Sequence, residues 1–305
     1  LLKVLPFIKS SLIGMEQKKY VTYNLKEFEY KLNVRQKNYL KVFWNKIKKN
    51  LWKKKTIYCL KRVATKKEIS EIYGTIFSLF KNYFPDLFSW LPKKPNSDIW
   101  NSQKFHDSII KARRISKKKF GKIYDTIQLS APVKKMMTSD KILKLLEDYT
   151  GILKENFVCF NSVIRFDPPR DDRNSVDWHF DLYPNSTKIN PINGISIVVA
   201  FHDIKKKHGS PIFLMNSEKE NIKLQLKKLK HNASDNYKID KKKIKKYKKK
   251  IFEINSGDAL IFPMKTIHKS GKNISKKVRI SGLFRYYPVN EKSFVALKES
   301  YTPIE

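Results

Sequence analysis

Cysteine is close to absent: Cys59 and Cys159 are the only two in 305 residues, and they lie far apart. So thin a supply excludes a disulfide framework and fits reduced thiols in the cytoplasm. Long apolar runs are missing as well. The apolar opening of the chain, residues 1–15, is broken by Lys3, Pro6 and Lys9. It is too short for a membrane span and has no basic leader ahead of an apolar stretch, so no transmembrane segment is expected. Acidic residues are the third shortage, 28 against 65 Lys and Arg, for a net charge of +37. A field of that sign attracts phosphate groups or anionic membranes, which keeps nucleic acid open as a partner. Arginine is scarce too, with nine in the chain. The excess is lysine, in company with isoleucine and asparagine, the residues that AT-rich codons write. Most of the charge therefore reads as solvated surface, with a mild preference for an anionic small-molecule substrate.

What is present is enough for a large core, since 41% of the chain is apolar and no covalent staple is needed at this length. Short β-branched or aromatic runs at 157–166, 194–202, 210–214, 250–254, 258–262 and 278–287 are separated by Gly, Pro, Asn and Asp clusters. That is the grammar of an all-β sandwich or barrel. Residues 25–60, 67–83 and 140–149 instead carry apolar residues at helical spacing, with Phe43, Trp44, Ile47, Leu51 and Trp52 forming one stripe. They predict a helical layer packed on one sheet. The expected organisation is a single domain over 1–305, mostly helical to 115, with a β core from 115 to 290. A lysine-rich insert at 219–250 interrupts that core, densest at 238–250, and reads as a surface helix or loop in preference to a mobile lid.

The chemistry is carried by histidine. Of six histidines only His179 has an acidic residue two positions on, in His179-Phe180-Asp181. On a strand, residues i and i+2 share a face, so both side chains reach one metal. His106-Asp107 and His202-Asp203 cannot do this, because adjacent side chains point to opposite faces. A His-x-Asp triplet alone is more often a surface pair than a ligand set, and its context decides the matter. His268 follows the turn and apolar strand Ser256-Gly257-Asp258-Ala259-Leu260-Ile261-Phe262-Pro263, and Arg279 comes eleven residues after it on the next strand. Two imidazoles and one carboxylate form the facial triad that holds non-haem Fe(II) with open positions for substrates. No third histidine stands beside them, as a closed structural zinc site would want.

Trp178-His179-Phe180-Asp181, the Gly257-Asp258 strand, the His268-x-Ser270-x-x-Asn273-x-Ser275 run and Arg279 together resemble the phytanoyl-CoA dioxygenase family over residues 115–290. The stretch from His208-Gly209-Ser210 to Leu214 is similar to another family segment, except that Met215-Asn216-Ser217-Glu218 stands where the family has Pro-Gly-Ser-His. The resemblance implies a cupin-like double-stranded β-helix, or jelly roll. It implies Fe(II) on His179, Asp181 and His268, with 2-oxoglutarate and O2 as cosubstrates. By the same resemblance Arg279 takes the distal carboxylate of 2-oxoglutarate as a bidentate pair, and Ser270 hydrogen-bonds that cosubstrate. Related halogenases replace the ligand carboxylate with a small residue, so Asp181 favours hydroxylation, with succinate and CO2 released.

Other positions stay more open. Residues 279, 281, 283 and 285 share one strand face, so Arg285 points either toward the cosubstrate or an anionic substrate, or into an ion pair at the barrel rim. Asn161 and Arg165 are placed to line the pocket. Val198 stands where the family often has an aromatic over the cosubstrate, and Trp178 and Tyr183 flank the ligands, Trp178 more as packing. Two rival readings share the fold. An oxidative demethylase of alkylated nucleic acid would explain Arg279 and Arg285 as a pair, but that pattern sets its first arginine further from the second histidine. A non-catalytic jelly-roll binding protein would have no need of an intact triad.

Overall fold

Strand β11 (Arg279–Pro288) is the spine of the molecule. Its side chains alternate, so Ile280, Phe284 and Tyr286 turn toward a core shared with helices, while Leu283 turns into a second, separate core. The computed structural model describes residues 56–159, 162–171, 176–181, 194–219, 225–226, 237–239 and 241–289, all within the unit Trp52–Glu305.

The larger sheet runs β1 (Tyr58–Leu60), β9 (Ala259–Pro263), β4 (Ile195–Ala200), β11 and β2 (Phe157–Cys159), and β3 (Val163–Asp167) also pairs with β11. Every pairing is antiparallel. A smaller sheet orders β10 (His268–Lys269), β5 (Ile212–Leu214) and β8 (Lys249–Ile251). Val198, Leu260 and Leu283 of the large sheet meet Phe213 of the small one in a common cluster. The two sheets thus close over one apolar interior, as a jelly roll does.

Helices cover the opposite face of the large sheet. Helix α1 (Lys66–Tyr83) starts at a capping box between Thr65 and Glu68 and buries Ile69, Ile72, Tyr73, Ile76, Phe77 and Phe80, a stripe at helical spacing. Short turns α2 (Pro85–Phe88) and α3 (Ser97–Trp100) lead to α4 (Gln103–Ile115), α5 (Lys117–Gln128), α6 (Ala131–Met137) and α7 (Asp140–Thr150). Their buried faces pack with Ile197, Val199, Ile261, Ile280 and Phe284 in one continuous core. Among the described residues no helix is long and apolar enough to cross a membrane.

Two sequence expectations need correction. The helical reading of 25–60 fails at its end, because Tyr58–Leu60 is a strand paired with Ala259–Ile261. The period there is two: Tyr58 and Leu60 pack against the helical core and Cys59 against the barrel interior. The stripe from Phe43 to Trp52 lies outside the described residues. The helical part also runs on to Thr150, well past 115, since Ser102, Ser116 and Ser139 each cap a further helix with a side-chain oxygen. Of the insert, β6 (Gln225–Leu226) pairs with β7 (Tyr237–Lys238), and α8 (Lys241–Lys245) precedes β8. Ile239 and Ile244 pack with Phe180, Leu214 and Ile267, so this end of the insert covers the outer flank of the small sheet.

Candidate active site

Backbone pairing brings the two histidines together. His179 and His268 form an antiparallel bridge in which each N–H donates to the other's carbonyl, at 2.9 and 2.8 Å. Directly opposed residues of such a pair project to the same face, and the two rings lie 4.3 Å apart between centroids. One step further the Asp181 N–H donates to the Met264 carbonyl at 2.9 Å. The ligand atoms of His179, Asp181 and His268 all fall within 4.8 Å of one another.

The donor set fits a metal. His179 Nδ1 lies 2.8 Å from the Asp177 carbonyl and His268 Nδ1 2.9 Å from that of Thr266. A carbonyl only accepts, so each Nδ1 carries the proton and each Nε2 keeps its lone pair for a ligand bond. Burial pushes both imidazoles below their ordinary range, His179 to about 3, which keeps them neutral. Asp181 is buried, and burial alone would raise its carboxyl. The Arg285 guanidinium, by its charge and its hydrogen bond, outweighs that and holds it well below the usual carboxylate range. Arg285 Nη2 donates to Asp181 Oδ1 at 2.7 Å and the Ser196 hydroxyl donates to Oδ2 at 2.6 Å. Each oxygen retains a lone pair, so the two donors orient the carboxylate and leave it able to ligate. Phe213 stacks on the His268 ring at 5.5 Å and Phe262 meets it edge-on at 5.2 Å, fixing the ring plane.

A second cluster lies at the start of β11. Arg279 is buried, and its Nε and Nη2 donate to Asp167 Oδ2 at 3.0 and 2.6 Å. Arg165 donates to the same carboxylate, Nε to Oδ2 at 3.2 Å and Nη2 to Oδ1 at 3.0 Å. Burial would raise the Asp167 carboxyl, but the two guanidinium groups outweigh it and hold it at about 2. The remaining nitrogen of Arg279, Nη1, is buried with no partner among the described residues. Ser270 Oγ accepts the Val176 N–H at 3.2 Å, which leaves its own proton free for another acceptor. Ser270 and Arg279 line one cavity of about 170 Å³, with Asp167, Arg170, Lys272 and Asn273 around it.

The structure thus assembles His179, Asp181 and His268 in one place and Arg279 and Ser270 in another. Arg285 is paired with Asp181, Nη2 to Oδ1 at 2.7 Å. Asn161 and Tyr183 lie outside the described residues. Val198 is buried among the aliphatic and aromatic residues of the barrel interior, and Trp178 packs on the outer flank with Lys269 Nζ 4.8 Å from its ring. Sequence reasoning missed Asp167 and Ser196. Both carried a signal: Asp167 shares a strand face with Arg165, and Ser196 is the only polar residue of the strand Ile195–Ala200. The Met215-Asn216-Ser217-Glu218 departure keeps the turn. Asn216 takes φ 67°, a left-handed conformation that asparagine tolerates. Ser217 Oγ donates to the Leu214 carbonyl and accepts the Ile267 N–H, both at 2.8 Å, tying the turn to the residue before His268.

Comparison with known proteins agrees with this fold. The epimerase SnoN, solved in complex with Fe3+, alpha ketoglutarate and nogalamycin RO, is similar at 14% identity over 83% of this chain and 90% of its own, with a TM-score of 0.55. The alpha ketoglutarate-dependent non-heme carbocyclase SnoK from nogalamycin biosynthesis is similar at 11% identity over 79% and 85%, with a TM-score of 0.50. At such identities the likeness shows the shared fold. No curated protein matches the sequence. The phytanoyl-CoA dioxygenase family, by contrast, matches residues 59–281, most of the chain. The protein therefore belongs to the phytanoyl-CoA dioxygenase family of non-haem iron and 2-oxoglutarate-dependent enzymes.

Proposed function

We propose that the protein hydroxylates a C–H bond of a small anionic metabolite, with His179, Asp181 and His268 as iron ligands and Arg279 and Ser270 as the seat of 2-oxoglutarate. The observation that carries the reading is the convergence of the three ligand atoms within 4.8 Å, with both Nδ1 atoms already committed to carbonyls. Bound together, iron and 2-oxoglutarate turn O2 into an oxidant able to attack a C–H bond, with succinate and CO2 as by-products.

The residues supply the setting. Asp167 holds Arg279 by Nε and Nη2, aiming Nη1 as the remaining donor, and the free Ser270 proton offers a second. Together they suit one carboxylate of the cosubstrate. Arg285 and Ser196 keep Asp181 ionised and oriented. The aromatic rings of Phe213 and Phe262 exclude water from the His268 side.

Charge supports an anionic substrate. Arg165, Arg279 and Arg285 contribute three positive charges, against two negative ones from Asp167 and Asp181. Fe(II) and the two carboxylates of 2-oxoglutarate cancel each other. One positive charge then remains on these five side chains, which are shielded from bulk water, and it favours an anion. A cytoplasmic location goes with this reading, and both cysteines are free thiols.

The test is anaerobic loading with Fe(II), followed by succinate formation from 2-oxoglutarate on exposure to O2. Wild type should turn over slowly without substrate, and His179→Ala and Arg279→Ala should not. Mass-spectrometric screening of carboxylated and phosphorylated metabolites for a gain of one oxygen then tests hydroxylation. Bound iron with no succinate under any substrate would defeat the proposal.

A further inference from the structure

The iron and cosubstrate clusters leave three buried histidines without a role. His106 on α4, and His202 and His208 in the segment after β4, are nearly inaccessible and lie in a row, with 5.8 Å between successive ring centroids. None joins a cluster able to hold a metal among the described residues. Two of them instead act on the backbone at the start of β11, one on Val278 just before the strand and one on Ile280 within it. His106 Nδ1 accepts the Val278 N–H at 3.1 Å, and His202 Nε2 accepts the Ile280 N–H at 3.0 Å. These are the residues on either side of Arg279.

The topology explains why the strand needs them. Strand β4 pairs with β11 only as far as Ala200 opposite Ser281. Beyond that point the β11 edge has no strand to receive its N–H groups, and both residues are fully buried there. A buried N–H without an acceptor is costly. The two imidazoles stand in for the missing strand. Both ring nitrogens that face the backbone must be unprotonated, so both histidines act as neutral acceptors. Helix α4 is itself tied to the lead-in of β11, since Gln103 Nε2 donates to the Lys276 carbonyl at 2.9 Å and Lys277 Nζ to that of Asn101 at 2.7 Å.

We propose that His106 and His202 are positioning residues for the cosubstrate arginine, fixing the β11 backbone on both sides of Arg279 so that its guanidinium keeps one setting between Asp167 and the cavity. The inference rests on Arg279 as the residue that receives 2-oxoglutarate. Asp167 reaches the arginine from β3, and the histidines reach its backbone from the opposite edge of β11. Neither histidine touches cosubstrate; each acts through the strand.

The chemistry allows a sharp test, because an asparagine Oδ1 replaces the Nδ1 acceptor and a glutamine Oε1 replaces Nε2. His106→Asn and His202→Gln preserve the acceptors, His106→Leu and His202→Leu remove them, and His202→Asn stays polar but stops short of Ile280. The readouts are anaerobic calorimetric binding of 2-oxoglutarate to the Fe(II)-loaded protein, its KM in succinate production, and deuterium exchange over 276–284. The leucine variants and His202→Asn should bind 2-oxoglutarate about tenfold more weakly with kcat preserved, the pattern of lost binding alone. They should also exchange faster at Val278 and Ile280. His106→Asn and His202→Gln should stay within about twofold of wild type on the same measures. If the leucine variants do not fold, His202→Asn against His202→Gln carries the comparison. Wild-type cosubstrate affinity in the acceptor-less variants, beside weakened binding in Arg279→Gln, overturns the inference and leaves the cosubstrate site standing. Unchanged binding in Arg279→Gln overturns the site and the inference together, even where exchange at Ile280 rises.

Discussion

The two ends of the active site are built by different means. At the metal end the backbone does the assembling: a two-residue bridge sets His179 opposite His268, and Asp181 follows two positions on. At the arginine end, side chains from distant elements converge. Asp167 comes from β3, His202 from beyond β4, and His106 from a helix more than a hundred and seventy positions earlier in the chain, as its bond to Val278 shows. The first kind of construction depends on strand periodicity and so is written locally. The second depends on which elements pack together, and local sequence does not record it.

The largest expected effect lies at the metal end. His268→Ala and Asp181→Ala each remove one of the three proposed ligands, and iron should be lost from stoichiometric binding along with all succinate formation. The secondary structure should survive, because the bridge that sets the histidines is made by backbone atoms. Metal analysis beside circular dichroism checks both halves. A variant that keeps full iron occupancy would remove that residue from the ligand set.

At the arginine end the corresponding change should cost the fold as well as the chemistry. Asp167→Asn leaves the buried Arg279 and the half-buried Arg165 without their shared carboxylate. Breaking a buried ion pair from one side typically costs about 3–5 kcal/mol, so urea denaturation should show a loss of that order. 2-Oxoglutarate should partly restore the stability, since its carboxylate replaces the missing anion. A stability equal to wild type would mean that Asp167 is not the counter-ion that sets Arg279. The two ends would then differ less than their geometry indicates.

The same contrast governs what could be read from the chain. The nearness of His179 and Asp181 was legible because a strand places i and i+2 on one face, and His268 was legible from the turn and apolar strand before it and the resemblance of the run after it. The strands were legible because Val, Ile and Phe alternate between turn residues. Tyr58–Leu60 was not, because three residues at the end of a lysine-rich stretch cannot establish a period of two against a helical pattern. Ser196 and Asp167 carried weak local marks. His106 and His202 carried none, since a buried neutral histidine and a surface one look alike until the fold supplies the N–H groups they receive.

A pH titration sharpens the comparison at lower amplitude. Burial drives both histidines down, His106 to about 3 and His202 to about 4, from an ordinary value of 6.5. Both imidazoles are neutral in the folded protein while the unfolded chain takes up protons below about pH 6.5. Stability from these groups is therefore complete above that pH and falls as pH drops toward about 4, by about 1.4 kcal/mol per pH unit for each histidine. His179 and His268 shift in the same direction in metal-free protein. The informative quantity is thus a difference in slope: His202→Gln should flatten the curve by one histidine's share, measured by urea unfolding between pH 6 and 5. An unchanged slope would mean that His202 does not resist protonation in the fold.

The smallest effect expected is at Ser196, where the metal end borrows the side-chain style of construction. Its hydroxyl donates to Asp181 Oδ2 at 2.6 Å from a fully buried position in β4, beside the Arg285 bond to Oδ1. Removing a partner that orients a metal ligand typically costs 10–100-fold in metal affinity. Because Arg285 remains, Ser196→Ala should fall at the low end, about tenfold. Cosubstrate KM in the iron-saturated variant should not move, since Arg279 and Ser270 are untouched. A competitive chelator titration against Fe(II) measures the first, and succinate kinetics at saturating iron the second. Coupling between the two, with cosubstrate affinity falling alongside iron affinity, would show that the ends are one network joined through β4 and β11, and the division drawn between them would not hold.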